Sequence, residues 1–214
     1  MGNAYEFVKN NDLDGLQKEL SKKKYDDYEL KQICEKAIEH NHIAIMEILR
    51  TECNYDIKSQ WIFFYAVAYG NVEMIKYLIV LGADINWKNN HEFTAIEIAC
   101  HHDNLDIVKY LNECGAKIDI DNLLIIASQN CSNNVIPYLI ELGANINCEN
   151  GMPLFYAIRN KDYTLTQMLL NHGANPKLLE IVVSDFTQES SIINLLINNK
   201  VDPLIICKIW NSEQ

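Results

Sequence analysis

Residues 66–86 read AVAYGNVEMIKYLIVLGADIN, and residues 99–119 read ACHHDNLDIVKYLNECGAKID. Both begin on a small residue, pass a short polar stop, enter an apolar helical stretch and end in Gly-Ala with an Asp shortly after. The pattern returns at Ala127 (ASQNCSNNVIPYLIELGANIN) and Ala157 (AIRNKDYTLTQMLLNHGANP). A weaker copy starts at Ala37, and the weakest start at Phe7 and around Ser184. Successive anchors lie 30, 29, 33, 28, 30 and 27 residues apart. A near-constant period covering almost the whole chain is the signature of a stacked repeat array.

Each copy reads as two short antiparallel helices. In the second helix, Met74, Ile75, Leu78 and Ile79 recur at helical spacing, as do Ile107, Val108 and Leu111. Gly82, Gly115, Gly143 and Gly173 follow the helix ends, where a left-handed residue is required. Gly70-Asn71, Asp103-Asn104 and Lys161-Asp162 make the tight turns between helices. The small anchors let neighbouring first helices approach. One such pair cannot bury its apolar face, whereas a stack builds a continuous core. The expected fold is an all-α solenoid of about seven repeats: roughly 4–26, 27–57, 58–86, 87–119, 120–147, 148–175 and 176–203, with a C-terminal cap at 204–214. From Asp84 to Ala99 there are 15 steps, but from Asp56 to Ala66 and from Lys117 to Ala127 only 10. One full β-hairpin finger is therefore expected, at about 84–96, with abbreviated loops elsewhere.

Thr94-Ala95-Ile96-Glu97-Ile98-Ala99-Cys100, Asn104 to Leu111, and the Gly82-Ala83-Asp84-Ile85-Asn86 and Gly143-Ala144-Asn145-Ile146-Asn147 segments resemble the ankyrin repeat. They stand where that family has T-P-L-H-L-A-A, H-L-E-I-V-K-L-L and G-A-D-V-N. The T-P-L-H tetrapeptide is degraded throughout, Met152-Pro153-Leu154-Phe155 being the nearest copy. The short loops and the abundance of Ile and Asn resemble the ankyrin repeats of giant DNA viruses of amoebae and of protists. The resemblance implies a non-catalytic module that binds a protein partner through its concave face. A permanent subunit of a viral or cytoskeletal assembly and an enzyme inhibitor are the alternatives. In the family, an Asn placed like Asn86 or Asn147 can be hydroxylated; the simpler role is a bond to the hairpin backbone.

Composition narrows the partners. The 214 residues carry 18 Lys and Arg against 29 Asp and Glu, a net charge of −11, which disfavours nucleic acid. Lys22-Lys23-Lys24 is followed by Asp26, Asp27 and Glu29 and reads as a solvated face. No apolar run reaches the length of a membrane span, and the N-terminal residues have no secretory-signal pattern. Seven cysteines, Cys34, Cys53, Cys100, Cys114, Cys131, Cys148 and Cys207, form no CxxC pair, so a reduced, cytoplasmic setting is expected, host cytoplasm if viral. The residues carry no reading of the oligomeric state.

No nucleophile elbow, phosphate loop or zinc-helix motif occurs, so neither enzyme activity, cofactor nor metal is expected. His101 and His102 are adjacent on a helix and diverge by about 100°, which suits surface contact better than shared ligation. The family alignment sets the candidate partner-binding residues on the first helices and the hairpin. They are Tyr69, Trp87, His91, Phe93, His101, His102, Asn130, Arg159 and Asn160. Trp87 reads equally as a contact residue or as packing between hairpins.

Overall fold

The computed structural model describes residues 2–181, 194 and 196–198. In chain order the helices are α1 (Gly2–Lys9), α2 (Leu13–Leu20), α3 (Asp27–Glu39), α4 (Ile43–Glu52), α5 (Gln60–Tyr69), α6 (Val72–Val80), α7 (Ala95–His101), α8 (Leu105–Glu113), α9 (Ile120–Gln129), α10 (Val135–Glu141), α11 (Cys148–Arg159) and α12 (Tyr163–Asn171). A 3-10 turn, Pro176–Ile181, follows. Among the described residues there is no strand. An isolated antiparallel bridge between Lys88 and Thr94 marks the hairpin finger where it was expected. The Ser184 anchor and the C-terminal cap lie outside the described residues.

The chain forms two compact units, residues 1–99 with 106–117, and residues 100–105 with 118 onward. In the first unit, α1 packs on α3 and α3 on α5, each beside its own second helix, α2, α4 or α6. The anchors Ala37, Ala66 and Ala99 have no exposed surface. Side chains larger by even a few methylenes would overpack there, at a cost of about 1–3 kcal/mol. Phe7 occupies the same position in the first copy and is half-buried. Gly15 on α2 makes room for it, since a Cβ there would lie 2.5 Å from the Phe7 ring. Ile45, Met46 and Leu49 on α4 and Met74, Ile75 and Leu78 on α6 bury the opposite side of the core.

In the second unit α9 packs on α10 and α11, and α11 on α12 and on the 3-10 turn. Leu124, Ala127, Ile136, Leu139, Leu154, Ala157, Leu165 and Leu169 are fully buried. Glu149, Asn150 and Gly151 have left-handed φ of 45°, 57° and 84°. The continuous helix therefore starts at Met152. Pro153 falls in its first turn, where the missing N–H has no helical partner to lose.

The turns between paired helices share one conformation. Asn11, Asn41, Asp103, Cys131 and Lys161 stand at the same repeat position with φ of 52° to 58°. Gly70, the glycine at that position, is instead extended, with φ −91° and ψ −155°. Its missing side chain serves close approach, because a Cβ would come within 2.6 Å of the Ala66 carbonyl oxygen.

Hydrogen bonds tie successive copies within each unit. In the first, Asn86 Oδ1 accepts from the Lys117 N–H at 2.8 Å. In the second, Asn147 Oδ1 accepts from the Asn175 N–H at 2.7 Å, and its Nδ2 donates to the Gly173 carbonyl at 3.2 Å. Asp119 would be the equivalent acceptor between them, but it caps α9 by accepting from the Asn122 N–H. Asp121 takes its place and accepts from the Asn145 N–H at 2.7 Å. Asp103 reaches another copy of the second unit. Its Oδ1 accepts from the N–H groups of Asn134 (2.9 Å) and Val135 (3.1 Å), and its Oδ2 from Asn134 Nδ2 (2.6 Å). Asn134, the N-cap residue of α10, makes no side-chain cap bond of its own, so Asp103 supplies it.

Candidate partner-binding surface

Four of the expected surface residues lie in the first unit. Tyr69 ends α5 and is 54% exposed. Its ring centroid lies 4.7 Å from that of Tyr65, one turn earlier. The hairpin is organised by Asn89, whose Oδ1 accepts from the N–H groups of His91 and Phe93 at 2.9 and 3.0 Å. That holds Phe93, 44% exposed, and His91 outward. The Trp87 indole leans on the buried Phe64 ring at 5.6 Å and keeps 40% of its surface exposed.

The other five lie in the second unit, and all are exposed. The His101 and His102 rings sit 5.0 Å apart at 51°. Burial, and then the charge of His101, hold the His102 imidazole below its ordinary pKa. Asn130 Nδ2 donates to the Ile126 carbonyl at 2.8 Å. Asn160 Nδ2 donates to the carbonyls of Ser128 and Gln129 at 3.2 and 3.0 Å, closing the C-terminal end of α9. Asn160 therefore fastens one copy to the next. Arg159, exposed at the end of α11, makes no ion pair or hydrogen bond among the described residues. Among the same residues, no three His, Cys, Asp or Glu side chains are grouped so as to hold a metal ion.

Trp61 and Tyr65 were missed by the sequence reading. They precede Tyr69 by eight and four residues, so the i, i+4, i+8 spacing on α5 marks all three as one stripe. Tyr65 Oη donates to Glu39 on α3 at 2.7 Å. Burial, followed by this bond, raises the Tyr65 hydroxyl pKa. Burial pushes the Glu39 carboxyl up, but the bonds from Lys36 and Tyr65 outweigh it and leave the group below its ordinary value. Lys31 Nζ stands 5.0 Å over the Trp61 ring and 3.8 Å from Glu35. The Lys22-Lys23-Lys24 run is partly neutralised locally, Lys22 by Glu19 and Lys23 by Glu29, both at 2.6 Å.

A model of the ankyrin repeat family, built on three copies, matches residues 34–122 and again 119–180, well over half of the chain. The chain belongs to the ankyrin repeat family. Two similar relatives are ankyrin repeat proteins of Acanthamoeba polyphaga mimivirus. One is 40% identical over 78 residues, covering 36% of this chain and 13% of that protein. The other is 31% identical over 84 residues, covering 38% and 21%. The chain thus spans only a small part of the length of these relatives, and they bear out the likeness to giant-virus repeats. The ankyrin repeat domain of Bcl-3, of the IkappaB protein family, shares the fold, with a TM-score of 0.52 at 19% identity, covering 84% of this chain and 85% of that one. Among the described residues of this ankyrin array, no helix is long and apolar enough to cross a membrane.

Proposed function

We propose that this ankyrin repeat chain is a non-catalytic module that binds a protein partner through the concave face its first helices and hairpin are expected to form. The observation that carries the reading is the exposed aromatic group of the first unit. Tyr69, Trp87 and Phe93 each leave two-fifths or more of their surface in solvent. Each is held in place, Tyr69 by Tyr65, Trp87 by Phe64 and Phe93 by the Asn89 turn. Rigid aromatic anchors lose little entropy on docking and dominate binding energy at interfaces. In the second unit His101, His102, Asn130 and Arg159 offer polar contacts, and Asn160 supports them by fixing the end of α9. The proposed arrangement has seven repeats with the boundaries given above, and the setting is cytoplasmic. A photoreactive phenylalanine analogue placed at Tyr69 or at Phe93 should crosslink the partner in the native cell. The same group at Lys76, on α6, should not. Crosslinks from Lys76 alone would place the partner on the second helices and refute the reading.

A further inference from the structure

Residues 148–151 read Cys-Glu-Asn-Gly, and Asn150-Gly151 is the only Asn-Gly pair in the 214 residues. Glu149, Asn150 and Gly151 run left-handed, with φ/ψ of 45°/50°, 57°/36° and 84°/23°. This run carries the chain from Asn147, which ties two copies, into the continuous part of α11. The backbone dictates the residue types. Asn tolerates the left-handed region better than most side chains, and Gly has no Cβ to oppose it. Gly151 is also packed in: it is buried, and a Cβ there would lie 3.2 Å from Leu178 Cβ on the 3-10 turn. The same pair is chemically the most reactive that asparagine can form. The backbone nitrogen that follows an Asn can attack its side-chain amide carbon, and Gly hinders that attack least.

We propose that Asn150 is a self-modification site that the fold keeps shut and that opens when the entry to α11 unfolds locally. Ring closure needs Asn150 Cβ and the Gly151 nitrogen on the same side of the Asn150 Cα–C bond. At ψ 36° they stand on nearly opposite sides, so the nitrogen cannot reach Cγ. The Gly151 N–H is also committed, donating to the Asn147 carbonyl at 3.2 Å. The burial of Gly151 against Leu178 fixes both features, although Asn150 itself is exposed to water. Once the run opens, ψ is free and the reaction proceeds. The Gly151 nitrogen bonds to Cγ, the Cγ–NH2 bond breaks, and ammonia leaves with the proton from Gly151, giving a five-membered imide. Water then opens either imide C–N bond, yielding an aspartyl or an isoaspartyl residue; nothing is oxidised or reduced. Either product adds a carboxylate beside Glu149. The isoaspartyl form also lengthens the backbone by one carbon, so the left-handed run and the Gly151 seat cannot re-form. Openings of the last described copy are thereby recorded irreversibly in the chain.

The test incubates the full chain at mildly alkaline pH, folded and in concentrated urea, and follows each asparagine by peptide mass mapping. Chromatography separates the aspartyl from the isoaspartyl peptide. In urea the Asn150 peptide should convert ahead of every other asparagine peptide, and in the folded chain at least about tenfold more slowly. Opening and closing are fast beside this chemistry, so the folded rate should track the open population. Asn147 Oδ1 and Nδ2 hold Asn175 and Gly173 beside the run. Asn147→Ala should therefore speed conversion of the folded chain severalfold and leave the rate in urea unchanged. Should that variant not fold, the parent chain in rising, sub-denaturing urea supplies the same comparison, and its rate should climb with each step. Asn150→Gln should abolish the mass change at this peptide in both states. Conversion as fast in the folded chain as in urea would show that the fold does not gate the pair and overturn the proposal. So would the absence of conversion in urea, or a folded rate indifferent both to Asn147→Ala and to sub-denaturing urea.

Discussion

Removing the Asp103 carboxylate should loosen the second unit by an amount set by two terms, a lost cap and a strained backbone. Asp103 accepts three hydrogen bonds, two from backbone N–H groups at the start of α10 and one from the Asn134 amide. It does so from a left-handed backbone, φ 56°. Losing a cap costs about 0.5–2 kcal/mol, the upper end applying where the acceptor is charged and α10 has no substitute. Alanine also tolerates the left-handed region poorly, which adds about 1 kcal/mol. Asp103→Ala should therefore cost about 2–3 kcal/mol, a fall in Tm of roughly 5–10 °C for a chain of this size. Asp103→Gly loses the same cap but relieves the backbone, so its cost should be nearer 1 kcal/mol. Asp103→Asn keeps an acceptor oxygen and should lose least. Thermal melts followed at 222 nm rank the three variants. An alanine variant as stable as the parent, or a glycine variant less stable than alanine, would refute the cap and strain assignment.

The same backbone logic runs the other way at Cys131 and Lys161, which hold φ of 57° and 58° without a capping side chain to lose. Cys131→Gly and Lys161→Gly should each raise stability by about 0.5–1 kcal/mol in urea titration. Stability should fall on acidification in two stages. Burial, and then the neighbouring His40 or His101, hold the imidazoles of His42 and His102 below their ordinary pKa, so the folded state favours them neutral. Their contribution is complete above the free-histidine value of about 6.5 and is lost as pH drops through the lower folded values. Glu29, bonded by Lys23, and Glu47, bonded by Arg50, are held low and should add a second loss below about pH 4.3, the free-Glu value. Urea midpoints measured across pH, with His42→Gln and His102→Gln flattening the upper stage, check this. Thiol labelling should split the cysteines: burial pushes Cys34 and Cys148 up to about 12, while Cys114 and Cys131 are exposed. Mass mapping after brief treatment with a disulfide reagent should find Cys114 and Cys131 modified and the other two protected until urea is added.

The anchors and second helices were legible because they follow from local rules. Ala37, Ala66, Ala99, Ala127 and Ala157 sit where two first helices meet, and all five are buried completely. Gly82, Gly115, Gly143 and Gly173 take the left-handed φ that their place after a helix demanded. The long interval from Asp84 to Ala99 holds the hairpin. What escaped the sequence were choices made across copies. Nothing local says that Asp103 caps a helix more than thirty residues on, or that Asp121 replaces Asp119 because Asp119 is already capping α9. Gly70 stands in the tight turn between its helices, yet the residues at its position in the other copies adopt the left-handed turn and it does not. At the candidate surface, Tyr69 was visible as a variable position. Its partners Trp61 and Tyr65 were hidden because α5 is apolar on nearly every side and shows no clear face. Asn160 looked like Asn130 in sequence, and only the fold shows it bonded to the end of α9.

The most direct measurement compares two double variants of the full chain for affinity to the partner recovered by crosslinking. Tyr69→Ala with Phe93→Ala strips the exposed aromatic anchors of the first unit. Lys76→Ala with Lys109→Ala alters the second helices of the same unit. An interface anchor costs about 2 kcal/mol or more when cut to alanine, and peripheral residues cost little. The aromatic pair should therefore weaken binding at least about tenfold, with Tm and helical signal nearly unchanged, and the lysine pair should leave it within about twofold. Loss of binding from the lysine pair with the aromatic pair intact would contradict the account and move the partner to the second helices.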